Sequence, residues 1–520
     1  MDIVGRMGPR TRGRKSLGWL TAVVIAAPCS GTASAADLPA TPGSLPSVFA
    51  SAQTGDTIVL GAGSYGVFRG GMKSGNVTLK PQSGAAVTMA LDFAPASNIT
   101  IEGVTLTEIE IGDARTKSIT VRGADIPGQT TFRTGELQNS NILFDSNVHR
   151  DFNKCAGCGE GRIHLPENTN QPSGITIQNS KFLRGNSDGI QNGSNGTRII
   201  NNEFANIRQV DGADGVHADA LQLYGSKNTL IQGNWFHDVG SAIMAPDGAE
   251  REIIEDNVIQ STNPFAIQLG SDNGSIVRHN TLPDGACEFN KRCGIITLGS
   301  KPGLPGGRET IITDNILGEI AFTGGSATTA EENFNLLAVV GGRGLKDVRG
   351  KPTYLGGTAP TSYAGFALAS GSRGKGDASD GSDRGARIGA VAPAAGIPAT
   401  PVAVGPPVIK VLTKLRSIGK TRKLRLLVKV SGAGTIRLES SIRPGRASDR
   451  ARSRHSRAVI TLRPRVLTFD IAGGRTIVFK LKRSAARALA RSKNASLSVH
   501  SYAGDSRTQR LRTSRLTIRR

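Results

Sequence analysis

The sequence predicts an all-β protein: a long solenoid of short stacked strands, then a small β-sandwich. Three observations predict it. Between about residues 98 and 320 one phrase keeps returning, a β-rich run followed by Asn, any residue and an apolar residue. Glycine is abundant (66 of 520 residues) and aromatics are only 4%, which suits short strands and turns. The 3.6-residue apolar period of a helical solenoid is missing.

The elements follow in chain order. Arg6, Arg10, Arg12, Arg14 and Lys15 precede an apolar run from Leu17 to Ala27, and Ala33-Ser34-Ala35 offers small residues for cleavage. Residues 1–35 therefore read as a signal peptide, with an apolar run too short to cross a bilayer. Pro28 beside Cys29 argues against a lipoprotein signal. Export is the expectation, with release or retention at the cell wall.

The repeat runs through NITIEGVTL, NILFDSNVH, GITIQNSKF, TRIINNEF, TLIQGNWF, EIIEDNVI, SIVRHNTL and TIITDNIL. Aligned, these put Asn147, Ser180, Asn202, Asn234, Asn257, Asn280 and Asn315 in one column, at spacings of 33, 22, 32, 23, 23 and 35 residues. A second column, GRIHLP, DGIQNG, DALQLY, SAIMAP, FAIQLG and CGIITL, aligns Ile163, Ile190, Leu221, Ile243, Ile267 and Ile295. A period near 22–24 residues with insertions means a solenoid whose units bury their apolar faces only by stacking. Asn suits a tight bend, because it tolerates left-handed backbone, and in register its amide can bond the next Asn in a ladder.

Four cysteines follow the leader: Cys155, Cys158, Cys287 and Cys293. Two local disulfides, Cys155–Cys158 and Cys287–Cys293, are the economical reading for an exported chain; a four-thiolate zinc site is the rival. An Ala/Pro-rich linker spans 390–407. From Val408 the chain alternates apolar and basic residues in six or so short runs, with SAARALARSK (484–493) as a helix between strands. This is the pattern of a small sandwich. It holds 30 Lys+Arg against 4 Asp+Glu, a net of +26, which leaves the rest of the chain at −3 of the total +23. Such a domain attracts polyanions: cell-wall polymers, acidic polysaccharide or anionic lipid. Nucleic acid is the minor option, because clustered aromatics for base stacking are missing.

With the repeat, the Asn column and both ends on the page, residues 46–390 resemble the right-handed parallel β-helix proteins of the pectin-lyase-like superfamily. AQTGDTIVLGAGSYGVF (52–68) is similar to that family's first coil and GSDRGARIGA (381–390) to its last. The basic tail resembles the immunoglobulin-like or fibronectin-like modules of exported bacterial proteins. The resemblance implies a β-helix over 36–389, a sandwich over 408–520, and a cleft along the first parallel sheet and the loops leading into it. The family's fold hosts many activities. The Asp-Asp and Gly-His-Gly phrases of its hydrolases are missing here, as is the Asp-Pro-His-Asp phrase of its epimerases.

The insertions 151–161, 205–217 and 283–294 all precede strands of that first sheet. If Leu221 points inward, Gln222 points outward. An outward stripe then runs His164–Gln191–Gln222–Met244–Gln268, suited to the hydroxyls of an extended sugar chain. Asp188 and Asp219 align at the start of adjacent strands, about 5 Å apart. They read as an acid pair, as Ca2+ ligands with Asp214 (Asp211 and Glu160 being further candidates), or as turn caps. His217 reads as a general base. Arg208 and Lys227 are candidate substrate-binding cations, and Tyr224 either stacks on a sugar or covers a coil edge. His237-Asp238 falls on the far side and reads as structural. The expected activity is β-elimination on an acidic polysaccharide. The alternatives are a hydrolase or epimerase of the same fold, and a non-catalytic surface-bound or adhesive solenoid.

Overall fold

The computed structural model describes residues 35–519 except 154–160, 168–170, 209–217, 286, 288–292, 324–326, 339–343, 389–406, 431–433, 445–458, 470–472, 493 and 504–508. The chain divides into two compact units, Met1–Ala394 and Ala395–Arg520. All but the last residue of the expected leader (1–35) and of the expected linker (390–407) lie outside the described residues. Among the described residues no helix is long and apolar enough to cross a membrane.

The first unit is a parallel β-helix. Each coil lays one strand on each of three ladders, as Asp188–Asn192, Arg198–Ile200 and Glu203–Ile207 do before Asp219–Leu223 begins the next coil. Strands one coil apart pair in parallel throughout. The helix Leu45–Ser51 covers the first rung, burying Leu45 and Phe49, with the Phe49 ring edge-on to Phe68 at 5.1 Å.

The second column aligns as expected from Ile163 to Ile267: Ile163 pairs with Ile190, Ile190 with Leu221, Leu221 with Ile243 and Ile243 with Ile267. It then departs by one residue. Ile267 pairs with Ile296, and Ile295 pairs with Phe265 across a bulge. The reason is a corner that places two successive residues in the core, a small one and then a large one, as in Ala220-Leu221, Ala242-Ile243 and Ala266-Ile267. In the CGIITL coil Ile295 fills the small-residue place and Ile296 continues the column.

The Asn ladder forms and runs further than the repeat suggested. Asn234 donates its backbone N–H and its Nδ2 to Asn257 Oδ1 at 2.9 and 3.0 Å, and Asn257 does the same to Asn280 at 3.1 and 2.9 Å. The pattern continues through Asn315 to Asn335 and ends on Asp347. The left-handed residue is not the Asn but the one before it: Ser146, Asn179, Asn201, Gly233, Asp256, His279, Asp314 and Phe334 all have φ between 52° and 68°. That residue turns the corner; the Asn points inward and satisfies the backbone groups the corner exposes. Beside the ladder, Phe182, Phe204 and Phe236 stack at 4.7 Å spacing, a column of the size expected to add to burial.

Residues 381–388 do not form a last coil. They run as a strap on the outside of the corner column. Arg387 clamps Asp256, Gly385 N–H donates to Asp314 O at 2.7 Å, and Ala386 N–H donates to Thr281 Oγ1 at 3.0 Å. Upstream, Ser379 donates to the Asp314 carboxylate.

The second unit is a sandwich. Val408–Val411, Lys423–Val430 and Gly473–Lys480 make one antiparallel sheet; Gly434–Pro444, Ile460–Thr461, Arg465–Phe469, Asn494–Ala503 and Gln509–Arg519 make the other. Leu424, Leu426 and Val428 of the first share a core with Ile436, Leu438, Leu497 and Val499 of the second. The helix expected near 484–493 spans Arg483–Ala490.

Candidate functional site on the first ladder

The register sets the outward stripe. His164 pairs with Gln191, Gln191 with Gln222, Gln222 with Met244 and Met244 with Gln268, and Thr297 extends the line. All but Gln191 and Thr297 are half-buried. Gln191 Nε2 donates to Gln222 Oε1 at 2.9 Å and to Asp188 Oδ2 at 3.0 Å.

Asp188 and Asp219 sit in adjacent coils and both are buried. The Asp219 backbone N–H donates to Asp188 Oδ1 at 2.7 Å. Both Asp188 oxygens thus already accept protein hydrogen bonds, the arrangement of a turn cap that also orients Gln191. Two carboxylates fall short of the six to eight oxygens that Ca2+ takes. No group of three or more His, Cys, Asp or Glu converges among the described residues. Asp214, Asp211, Glu160 and His217 lie outside them.

Tyr224 reaches back over a whole coil. Its hydroxyl donates to Leu165 O at 2.6 Å and lies 2.9 Å from His164 Nε2. Gly193 makes this possible: a Cβ there would stand 2.8 Å from the Tyr224 ring. Burial, and then the Glu167 charge, push the phenol well above its usual range, so it stays protonated. Tyr224 therefore covers a coil edge and leaves a His–Tyr pair at the end of the stripe. Arg208 follows the strand Glu203–Ile207, donating Nε to Asp238 O at 3.1 Å with its Nη2 3.6 Å from the Asp238 carboxylate; Lys227 follows the strand Asp219–Leu223 and lies 3.5 Å from Glu250.

Sequence reasoning missed Arg162, which occupies the small-residue place of its coil and is wholly buried. Its Nη1 donates to His149 O at 3.4 Å and its Nη2 to Arg184 O. Burial lowers it to about 10, against the opposing pull of Asp151 and Asp188. The His149 ring stacks on Phe182 at 4.5 Å. Burial, reinforced by the Arg162 cation, pushes His149 down to about 3, so it is neutral. The signal was present as an Arg in a column of Gly and Ala. His237-Asp238 lies on the third ladder: His237 stacks on Trp235 at 3.9 Å and lies 3.2 Å from Glu203, beside a cleft of about 350 Å3. Cys287 and Cys293 form a disulfide, which overturns the four-thiolate zinc reading; Cys155 and Cys158 lie outside the described residues.

Among solved structures the chain is similar to the PL6 family alginate lyase AlyGC, with 13% identity and a TM-score of 0.42, covering 64% of this chain and 57% of that one. An arginine-to-alanine variant of that enzyme gives 13% identity and a TM-score of 0.40, covering 68% and 58%. The chain thus spans under two thirds of the length of either. No curated protein matches. Residues 163–334 match the family described as the right handed beta helix region. That match and the parallel ladders agree: the first unit is a right-handed parallel β-helix.

Proposed function

We propose that the β-helix binds an extended acidic polysaccharide along its first ladder and cleaves it by β-elimination. The observation that supports this best is the in-register outward stripe His164–Gln191–Gln222–Met244–Gln268; Arg208 and Lys227 stand before and after the strand Asp219–Leu223 in the chain, facing Asp238 and Glu250. The amides hydrogen-bond sugar hydroxyls, and the cations offset uronate charge. A base takes the proton from the carbon bearing the carboxylate, a carbon–carbon double bond forms, and the bond to the glycosidic oxygen breaks as an acid returns a proton to it. Two histidines are candidates for the base: His217, two residues before Asp219 in the chain, and His164, whose Nε2–H goes to the Tyr224 oxygen because the phenol hydrogen is given to Leu165 O, which leaves Nδ1 as the nitrogen that accepts a proton. A chain with a disulfide and a polysaccharide substrate fits an extracellular or wall-associated setting.

One observation favours a second, non-catalytic reading: Gln191 donates to both Gln222 and Asp188, as a passive ladder would. The test is incubation with polygalacturonate, alginate and a glycosaminoglycan while following the absorbance of unsaturated uronates. Signal lost in His217→Ala or His164→Ala, with folding intact, identifies the base. New reducing ends without absorbance indicate hydrolysis. Silence on all three polymers with binding retained leaves the binding reading.

A further inference from the structure

We propose that the C-terminal unit carries a discrete site for the carboxylates of an acidic polysaccharide, in a cleft of about 720 Å3 lined by Leu412, Thr413, Lys414, Ser417, Thr421, Lys423 and Arg425. The chain builds it in three moves. Strand Val408–Val411 pairs with Lys423–Val430, and the pairing runs on past Val411: Leu412 N–H donates to Arg425 O at 2.9 Å and Arg425 N–H to Thr413 Oγ1 at 2.8 Å. This sets the start of the next segment beside the basic strand. The short helix Leu415–Thr421 then anchors Leu415 and Ile418 in the core, which leaves Ser417 and Thr421 outside. Arg422, at φ 57°, returns the chain so that Lys423 and Arg425 face out while Leu424 and Leu426 face in.

Residues 412–425 hold six cations and no acid. Lys414, Lys423 and Arg425 make no ion pair among the described residues, and the one described acid of the unit, Glu439, pairs with Arg437 at 3.1 Å. Three like charges held around one cleft repel each other, and an anion in the cleft relieves that repulsion. The lining has no aromatic ring, so it offers bases nothing to stack on. Its cations and hydroxyls match a sugar bearing carboxylates. The site is independent of the reaction proposed for the β-helix and would hold the protein on its polymer.

The test uses the full chain and measures binding to polygalacturonate between 50 and 300 mM salt, roughly the range over which counterion release is legible. Lys423→Gln/Arg425→Gln is expected to weaken binding about tenfold at low salt and to make the log–log salt slope shallower by about two. Arg515→Gln/Arg519→Gln, two exposed cations on the other sheet, is expected to change it less than about twofold. Gln222→Ala, in the stripe proposed to bind the polymer, is expected to weaken binding at every salt concentration without changing the log–log salt slope, which separates the β-helix face from this site. Circular dichroism checks each fold. Equal weakening by both double variants would show diffuse charge and overturn the site. So would wild-type binding by Lys423→Gln/Arg425→Gln, or tighter binding of single-stranded DNA or anionic vesicles than of polygalacturonate.

Discussion

Replacing Asn257 with Leu cuts the asparagine ladder at its middle. The side chain accepts from Asn234 N–H and Asn234 Nδ2, and it donates to Asn280 Oδ1 and to Ile231 O at 2.9 Å. Asn257 and its two neighbours in the ladder are fully buried, so water cannot take its place. Two groups lose their partner outright, the Asn234 N–H and one Asn234 amide hydrogen; the Ile231 carbonyl loses the amide but stays in the parallel ladder with Ile253–Glu255. Asn280 Oδ1 keeps the Asn257 backbone N–H. At about 1–3 kcal/mol for each buried group left unpaired, and with relaxation recovering part, the β-helix should lose about 3–5 kcal/mol. Trp235, next to Asn234, reports locally by fluorescence during urea unfolding. The two units need not unfold together, so the Trp235 transition is followed rather than a global signal. Asn257→Asp should cost at least as much, because a carboxylate keeps the acceptor role but turns lone pairs toward Asn280 Oδ1 and Ile231 O. A loss below about 1 kcal/mol for both variants would refute the ladder as a source of stability.

Two further outcomes follow from buried charge. Burial, with a smaller contribution from the Asp272 charge, raises Glu252 from 4.5 to about 8, against hydrogen bonds from Ser226 and Thr229. The folded state thus holds this proton more tightly than the unfolded chain. Its contribution is whole below about pH 4.5 and is lost as pH rises towards 8, at up to about 1.4 kcal/mol per unit. Glu252→Gln should flatten that slope and exceed the wild type in stability at pH 8; an unchanged pH profile of unfolding would count against it. Arg387 grips the fully buried Asp256 through Nε at 2.9 Å and through Nη2. Arg387→Ala should cost about 2–4 kcal/mol and expose residues 350–388 to protease, and wild-type resistance would contradict the strap.

Much of the fold was legible because stacking in register leaves a period in the sequence. The Asn column, the aliphatic column and the stripe all follow from it. What was not legible breaks the simple alternation or spans great chain distances. Two successive core residues at each corner hid the one-residue shift at Ile295 and the burial of Arg162. The strap joins Arg387 to Asp256 across 131 residues, beyond any local pattern. At the site, alignment was enough to bring Asp188 beside Asp219. It did not reveal that Asp188 spends its oxygens on a backbone N–H and on Gln191, because that depends on where lone pairs point. Tyr224 likewise needed Gly193 beneath it, a steric fact without a periodic signature.

The ladder has a direction. From Asn202 on, its carboxamides hand a hydrogen towards the C-terminal end, and the last receiver, Asp347, takes two from Asn335 at 2.8 and 3.2 Å with no amide hydrogen of its own to pass on. An aspartate in this column therefore works as a full stop: it welcomes the positive end of the aligned dipoles and offers nothing to a following turn. The length of such a rod is then writable one letter at a time. Asn extends it, and Asp closes it.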